Sequence, residues 1–161
     1  IEDLLVAGRM EAGTVSVLCQ PVGVDDELRR VIGSLDSGLS QRVQNTAVHA
    51  MALADPMRLR QILRNLLLNA SRHGGPDIMV EVAMEDGRVQ IRVADNGNEI
   101  PEKQRNLIFE PFYGSISATG LAPSVGLGLT ISSTLARMMD GDLTYRYEQG
   151  WGAFILDLPG A

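Results

Sequence analysis

The stretch from Asp55 to Gly74 restricts the possible folds of this chain more than any other part of its sequence. Asp55 followed by Pro56 is typical of a helix N-terminus, because aspartate caps free backbone N–H groups and proline fits the first helical position. The helix is predicted to continue to about His73, and Gly74 then ends it. Six apolar side chains at helical spacing form one stripe that requires burial: Leu59, Ile62, Leu63, Leu66, Leu67 and Ala70.

A second stripe, of polar side chains, lies beside the apolar one on the same helix. It consists of Asn65, Asn69 and Arg72, with Arg58 near the start of the helix. A polar stripe that borders the buried stripe, and does not lie opposite it, is typical of the lip of a cleft. An amide oxygen suits Mg²⁺ and a guanidinium suits phosphate oxygens. A solvated helix edge with two incidental amides would show the same pattern.

The rest of the chain alternates between predicted strands and helices. A strand is expected in "TVSVLCQPV", ended by Pro21, a helix in "VDDELRRVIGSL" and a further strand in "RVQNTAVHAMALA". "DIMVEVAMEDGRVQIRVAD" is predicted to be a hairpin around Asp86 and Gly87. "IPEKQRNLIF" predicts a short helix, "GLGLTISSTLARMMDG" a helix closed by Gly141, and "DLTYRYEQGWGAFILDLP" two strands around a glycine turn. These hairpins indicate a mixed or antiparallel sheet with helices on one face.

Composition excludes several classes of function. With 161 residues, 45% of them apolar, the chain fits one globular domain. The net charge is −6 and the 14 basic residues are not clustered, so no nucleic-acid-binding surface is expected. Cys19 is the only cysteine, which excludes an internal disulfide and fits a reducing compartment. The sequence contains no run of about 18 apolar residues, the length that would indicate a transmembrane helix. A cytoplasmic location is expected.

Five motifs, in order along the chain, resemble those of sensor histidine kinase ATP-binding domains. "DPMRLRQILRNLLLNASRH" resembles the N box, "DNGNEIP" the first glycine box and "FEPFY" the F box. "SVGLGLTI" resembles the second glycine box and "GWGAFILDLP" the closing glycine motif. The resemblance covers residues 14–161 and implies the Bergerat-type fold of the GHKL superfamily, shared with gyrase, mismatch-repair and heat-shock-chaperone ATPases. That fold is a two-layer α/β sandwich with a mixed, mostly antiparallel sheet, helices on one face and a mobile ATP lid, here at about residues 113–125.

The resemblance also implies a site for ATP and Mg²⁺. Asn69 would bind the Mg²⁺ that bridges the triphosphate, and Asp95 would accept a hydrogen bond from the exocyclic amine of adenine. Gly97 would leave room for the base, and Ile100 would pack on its ring. The residues implied to bind the nucleotide are Asn65, Asn69, Arg72, His73, Asp95, Gly97, Ile100, Ser124, Val125, Gly126, Leu127, Gly128 and Leu129.

Several of these residues also have a simpler structural explanation. Asp95 is suited to cap a helix in "PEKQRN". Gly126 and Gly128 open a helix whose free amides and dipole favour phosphate, but turn geometry alone would also select glycine there. Phe109 and Phe112 are expected to pack in the core and to anchor the lid.

Histidine kinases of this type phosphorylate a histidine on a dimerisation helix, and that acceptor is not evident here. Neither His49 nor His73 is followed by the acidic residue usual beside the acceptor. Residues 1–13 resemble the end of the dimerisation hairpin, so we expect a fragment that binds nucleotide without phosphorylating itself. The resemblance implies a homodimeric full-length protein, with its dimerisation and histidine-phosphotransfer domain and a response regulator as partners. Membrane contact is expected only through segments outside this sequence.

Two other functions fit the sequence less well. ATP hydrolases of the superfamily carry a glutamate at the position of Asn65, where it activates water, whereas an amide is a poor base. A degenerate docking module would explain two departures from the family pattern. Glu99 replaces the second glycine of the first glycine box, and residues 110–136 contain no lysine or arginine, although the family often has a basic residue in the lid.

Overall fold

The structure is a computed structural model that describes residues 4–5, 8–9, 13, 15–111, 113 and 128–161. The helices of the described part are α1 (Val24–Ser34), α2 (Ser37–Arg42), α3 (Pro56–His73) and α4 (Gly128–Met138). Two single turns of 3₁₀ helix span Glu102–Gln104 and Leu107–Phe109. The strands are β1 (Gln20–Gly23), β2 (Val43–Asn45), β3 (Met51–Ala54), β4 (Ile78–Glu85), β5 (Arg88–Asp95), β6 (Asp142–Glu148) and β7 (Trp151–Pro159).

A five-stranded sheet in the order β2-β4-β5-β7-β6 forms one layer of the fold. Its strands pair antiparallel except at one edge, where β2 lies parallel to β4. The predicted hairpin is confirmed: its turn residues Asp86 and Gly87 have φ angles of 51° and 75°, as a tight two-residue hairpin loop requires. Strands β1 and β3 form a separate antiparallel pair.

The core lies between one face of this sheet and the helices. The cross-strand register aligns Val80 with Val93 and Val93 with Phe154, and all three are buried. Helices α1 and α4 pack beside α3. The predicted apolar stripe of α3 is confirmed, since all six of its residues are buried. The predicted mixed, mostly antiparallel sheet with helices on one face is therefore confirmed.

Helix α3 begins where the sequence predicts. The Oδ1 of Asp55 accepts hydrogen bonds from the backbone N–H groups of Met57 (3.0 Å) and Arg58 (3.3 Å). Its Oδ2 accepts from the N–H of Leu18 at 2.9 Å, so the same carboxylate ties the segment before β1 to the helix.

Three secondary-structure predictions were wrong in detail. Residues 15–19 form no strand, and β1 contains Pro21 instead of ending there. Proline is tolerated because, among the described strands, β1 pairs with β3 alone and so lies at a sheet edge. The strand predicted in residues 42–54 is two short strands in two different sheets. The helix predicted in "IPEKQRNLIF" consists of two separate 3₁₀ turns.

Several predicted features lie outside the described residues. They are most of residues 1–13, Phe112, the lid from residue 114 onward and the segment 124–127. Across the part of the chain that is described, no helix combines the length and the apolar character needed to span a lipid bilayer.

Candidate functional site

Asp95, the last residue of β5, lies against the C-terminal end of α3. Its Oδ1 accepts hydrogen bonds from the backbone N–H groups of Gly75 (3.2 Å) and Gly97 (2.9 Å). No described residue donates to Oδ2. The carboxylate is thus held in one orientation through Oδ1, and no described group occupies the other oxygen. The helix-capping explanation is wrong, because no side chain caps the 3₁₀ turn that follows Pro101.

Three glycines allow the backbones around Asp95 to touch. A Cβ added at Gly74 would lie 2.4 Å from the Asp95 Cγ, and one at Gly75 would lie 2.4 Å from the Asn96 Oδ1. A Cβ at Gly97 would lie 2.5 Å from the Gly75 nitrogen. Such distances are not found in real structures, so each position requires glycine. Sequence reasoning assigned Gly74 only to ending the helix, and Gly97 only to making room for a base.

Further hydrogen bonds fix the loop that follows α3. Asp77 and Asn96 exchange three: Asp77 N to Asn96 Oδ1 (3.0 Å), Asn96 Nδ2 to Asp77 Oδ2 (2.8 Å) and Asn96 N to Asp77 O (3.3 Å). Arg42 donates from Nη2 to the carbonyl of Gly75 (2.7 Å) and from Nε to that of Pro76 (2.9 Å). Sequence reasoning missed these contacts because no local pattern signals them.

Ile100 is half-buried against the core, and both of its backbone polar groups are engaged. Its N–H donates to the Tyr145 hydroxyl oxygen at 3.1 Å, and its carbonyl accepts from Arg105 Nε at 3.0 Å. The Tyr145 ring packs on Phe154, with the ring centroids 5.3 Å apart. Burial raises the pKa of Tyr145, and this outweighs the hydrogen bond from Ile100 and the charge of Arg105, both of which lower it.

The polar stripe of α3 forms one edge of the helix, here called its polar edge. The other end of this edge faces the start of α4. Asn65 Nδ2 lies 3.4 Å from the carbonyl oxygen of Gly128 and 3.2 Å from the Ser132 Oγ. Among the described atoms, a Cβ added at Gly128 would meet the Asn65 Cγ first, at 3.9 Å, so no described contact requires glycine here. Leu129 is half-buried in the same helical turn.

Asn69, Arg72 and His73 lie between these two ends. Asn69 is half-buried and the other two are exposed, and none of the three side chains hydrogen-bonds to a described residue. From Asn65 to Gly74 the helix rises about 13 Å. Asn65, Asn69 and Arg72 thus lie along one edge of α3, with Gly128 at one end of it and Asp95 and Gly97 at the other, while positions 124–127 lie outside the described residues.

The polar groups along this edge fit a cation that is bound together with a triphosphate. They fit a metal held by protein side chains alone less well. The described residues contain no group of three histidine, cysteine or carboxylate side chains placed to bind a metal. The Asn69 amide oxygen is a hard, neutral donor, which fits Mg²⁺, an ion that takes few protein ligands and keeps waters or phosphate oxygens. Arg72 can pair with phosphate oxygens.

Two surface clefts lie away from this edge. One is beside the start of α1, where Glu27 pairs with Arg60 at 2.7 Å, and the other lies between Phe109 and the outer side of α4. Phe109 also meets Phe154 edge to face, with the centroids 6.3 Å apart, which agrees with the expected packing role. Neither cleft contains a residue of the predicted site.

Comparison with known proteins shows which family the sequence resembles. Residues 54–160 match the family model described as "Histidine kinase-, DNA gyrase B-, and HSP90-like ATPase". The chain is 35% identical over 163 residues to the signal transduction histidine-protein kinase AfsQ2 of Streptomyces coelicolor, which covers 99% of this chain and 30% of that protein. The chain spans about a third or less of the length of the curated relatives it matches.

Solved structures share the fold. The full-length histidine kinase ShkA in complex with AMPPNP superimposes with a TM-score of 0.81 at 30% identity, over 99% of this chain and 35% of that chain. The mycobacterial sensor histidine kinase MprB superimposes with a TM-score of 0.76 at 24% identity, over 89% of this chain and 98% of that chain. The predicted α/β fold is confirmed by both.

Proposed function

Because the chain belongs to the family of histidine kinase-, DNA gyrase B- and HSP90-like ATPases, we propose that it is the ATP-binding catalytic domain of a sensor histidine kinase. It binds Mg-ATP along the polar edge of α3 and donates the γ-phosphoryl group to a histidine of a dimerisation domain. Similarity to AfsQ2 over nearly the whole chain supports this proposal, as does similarity to ShkA, which was solved with AMPPNP.

The orientation of Asp95 is the observation that carries the proposal. A purine amine needs a fixed acceptor, and the two backbone N–H groups on Oδ1 leave Oδ2 for that bond. Ile100, held at both backbone groups, offers an apolar surface for the flat base. The adenine would therefore lie between Asp95 and Ile100, at the C-terminal end of α3.

The phosphates would then extend along α3 towards α4. Asn69 would hold Mg²⁺, which when bound neutralises phosphate charge and orients the γ-phosphoryl group. Arg72 and the backbone amides near Gly128 would contact phosphate oxygens. In the transfer the bond between the γ-phosphorus and its bridging oxygen breaks, a bond to the acceptor histidine nitrogen forms, and ADP leaves. Positioning and charge stabilisation supply most of the catalysis in such a step.

Asn65 favours phosphoryl transfer over hydrolysis. Its amide nitrogen faces two oxygens, the carbonyl of Gly128 and the hydroxyl of Ser132. A carboxylate at position 65 would bring a negative charge close to the Gly128 carbonyl oxygen. It would also lack the N–H groups that Asn65 donates. The site is thus built around an amide, which cannot act as the base that activates water.

The partners follow from this role. The acceptor histidine would belong to the dimerisation domain of the same protein, which would be a homodimer, and the phosphoryl group would pass to a response regulator. The domain would work in the cytoplasm, where ATP is supplied. The net charge of −6 gives no support for a nucleic-acid partner.

Calorimetric titration with ADP and ATP tests the adenine contact. Asp95→Asn keeps an oxygen that can accept from Gly75 and Gly97, so the fold should persist. The position of Oδ2 becomes an amide NH₂, which cannot accept a hydrogen bond from the adenine amine, and both affinities should fall about tenfold to a hundredfold. Asp142→Asn, an exposed substitution on β6, is the matched control and should bind like the wild type. Unchanged ADP affinity in Asp95→Asn would disprove this role.

Phosphate release separates the kinase from the two other functions. The chain alone should release phosphate from ATP negligibly, whereas adding a dimerisation domain that carries the acceptor histidine should yield phosphohistidine. Rapid release by the chain alone would support a hydrolase. Nucleotide binding without transfer to the added domain would support a docking module.

A further inference from the structure

The contacts of Arg105 form a network that sequence resemblance does not indicate. We use the name Ile100 clamp for the side chains of Glu99, Arg105 and Tyr145. Arg105 and Tyr145 hydrogen-bond to the Ile100 backbone, and Glu99 hydrogen-bonds to Arg105. Arg105 Nη2 donates to Glu99 Oε1 at 2.6 Å, and its guanidinium carbon lies 5.3 Å from the centroid of the Tyr145 ring. Its Nε donates to the Ile100 carbonyl, while the Tyr145 hydroxyl accepts from the Ile100 N–H.

The guanidinium is therefore oriented by three groups at once. A carboxylate engages one end, an aromatic face lies beneath it, and the remaining Nε points at a backbone carbonyl. A planar guanidinium suits this task, since its donors are rigidly arranged and it stacks on aromatic rings. Gly152 completes the clamp, because a Cβ there would lie 2.7 Å from the Tyr145 hydroxyl oxygen.

This geometry gives the Glu99 side chain a structural role, because it orients Arg105. It occupies a position where the sequence pattern led us to expect glycine, directly before the residue expected to meet adenine. A glycine there would leave the backbone freer and could not hold Arg105. The glutamate side chain instead forms an ion pair that is partly shielded, with Arg105 29% exposed and Glu99 50% exposed.

We propose that Arg105 is a positioning residue that, with Glu99 and Tyr145, holds Ile100 in place for adenine before nucleotide binds. The proposal rests on the proposed function, since it assigns Ile100 to the adenine surface. Ordering this segment in advance removes part of the entropy that binding would otherwise cost. Glu99 would then contribute to nucleotide binding, and its presence would not indicate a degenerate domain.

ADP titration of Arg105→Gln tests the clamp. The variant should bind ADP about threefold to tenfold more weakly, the effect of losing one ordinary hydrogen bond. Arg92→Gln is a closely matched control: Arg92 is 28% exposed and pairs with Glu81 at 3.0 Å on the outer face of the sheet. It should bind ADP like the wild type. Equal affinities in the two variants would overturn the proposal.

A double-mutant cycle distinguishes positioning from general support of the fold. If Arg105 acts through Ile100, Arg105→Gln should weaken ADP binding no further once Ile100→Ala is present. An undiminished effect in that background would overturn the proposal. Tyr145→Phe and Arg105→Lys give the same test if Arg105→Gln does not fold. In nucleotide-free protein, Tyr145→Phe should also speed hydrogen exchange at the Ile100 amide.

The outcomes separate the clamp from the function on which it rests. Wild-type protein that binds ADP, with binding weakened by Asp95→Asn but unaffected by Arg105→Gln and Tyr145→Phe, would overturn the clamp and leave the proposed function intact. Wild-type protein that binds no ADP would overturn both.

Discussion

The two ends of the polar edge of α3 are built differently. At the Asp95 end, backbone segments touch through glycines, and Arg42, Asp77 and Asn96 add hydrogen bonds that fix the loop. At the α4 end, the only hydrogen bonds between the described residues of α3 and α4 are the two that Asn65 makes, to Gly128 and Ser132. Between the ends, Asn69 and its polar neighbours contact no described hydrogen-bonding partner.

This difference matches the ligand that each end would receive. An adenine ring is rigid and is recognised by an acceptor in one orientation, so a surface fixed beforehand lowers the cost of binding. A triphosphate with its cation is flexible and highly charged, and side chains that are free to adjust can follow it. We infer that the Asp95 end determines which base binds, and that the α4 end responds to the phosphates and the metal.

The largest expected effect comes from filling space at the fixed end. Gly97→Ala would place a Cβ 2.5 Å from the Gly75 nitrogen, so the backbone must move and Asp95 with it. We expect a loss of about 1–3 kcal/mol in the free energy of unfolding and strongly reduced ADP binding. Chemical denaturation and calorimetry measure the two.

The matched substitution at the other end is Gly128→Ala. The nearest described atom to its Cβ, the Asn65 Cγ, would be 3.9 Å away, and at the start of α4 alanine gains at most about the 0.5–1 kcal/mol over glycine that applies within a helix. Stability should therefore be kept or increased. Equal destabilisation by both substitutions would contradict the difference between the ends.

A smaller effect is expected at Asn69, the proposed metal ligand. Asn69→Ala removes the amide that lies midway along the edge, so ATP binding should lose its dependence on Mg²⁺ while the fold is unchanged. Titrations with Mg²⁺ and with a chelator measure this dependence, and Asn45→Ala, exposed on β2, is the control. A variant that still prefers Mg-ATP strongly would show that another residue anchors the ion.

The smallest effect concerns the choice between ATP and ADP. Residues 110–136 contain no lysine or arginine that could reach the γ-phosphate. A charged donor there would contribute about 1.5–3 kcal/mol, and without it the two nucleotides should bind within about tenfold of each other. Paired titrations with Mg-ATP and Mg-ADP measure the ratio. A preference of a hundredfold for ATP would mean that an unidentified group contacts the γ-phosphate.

The sequence alone determined the parts of the fold that have local signals. Asp55 and Pro56 marked the start of α3, the spacing of its leucines marked its buried face, and Asp86 with Gly87 marked the hairpin. Motif resemblance then indicated the family and the order of the site residues. These signals succeed because caps, turns and helical periodicity depend on residues only a few positions apart.

Only the tertiary structure decided how the site is held together. Arg42 reaches the loop after α3, Gly97 touches Gly74 and Gly75, and Tyr145 holds Ile100 from a distant strand. The short strands β2 and β3 likewise entered different sheets, although they share one stretch of sequence. Such contacts join residues far apart in the chain, and no local propensity encodes them. They exist because packing the helices on the sheet brings the end of α3 against the end of β5.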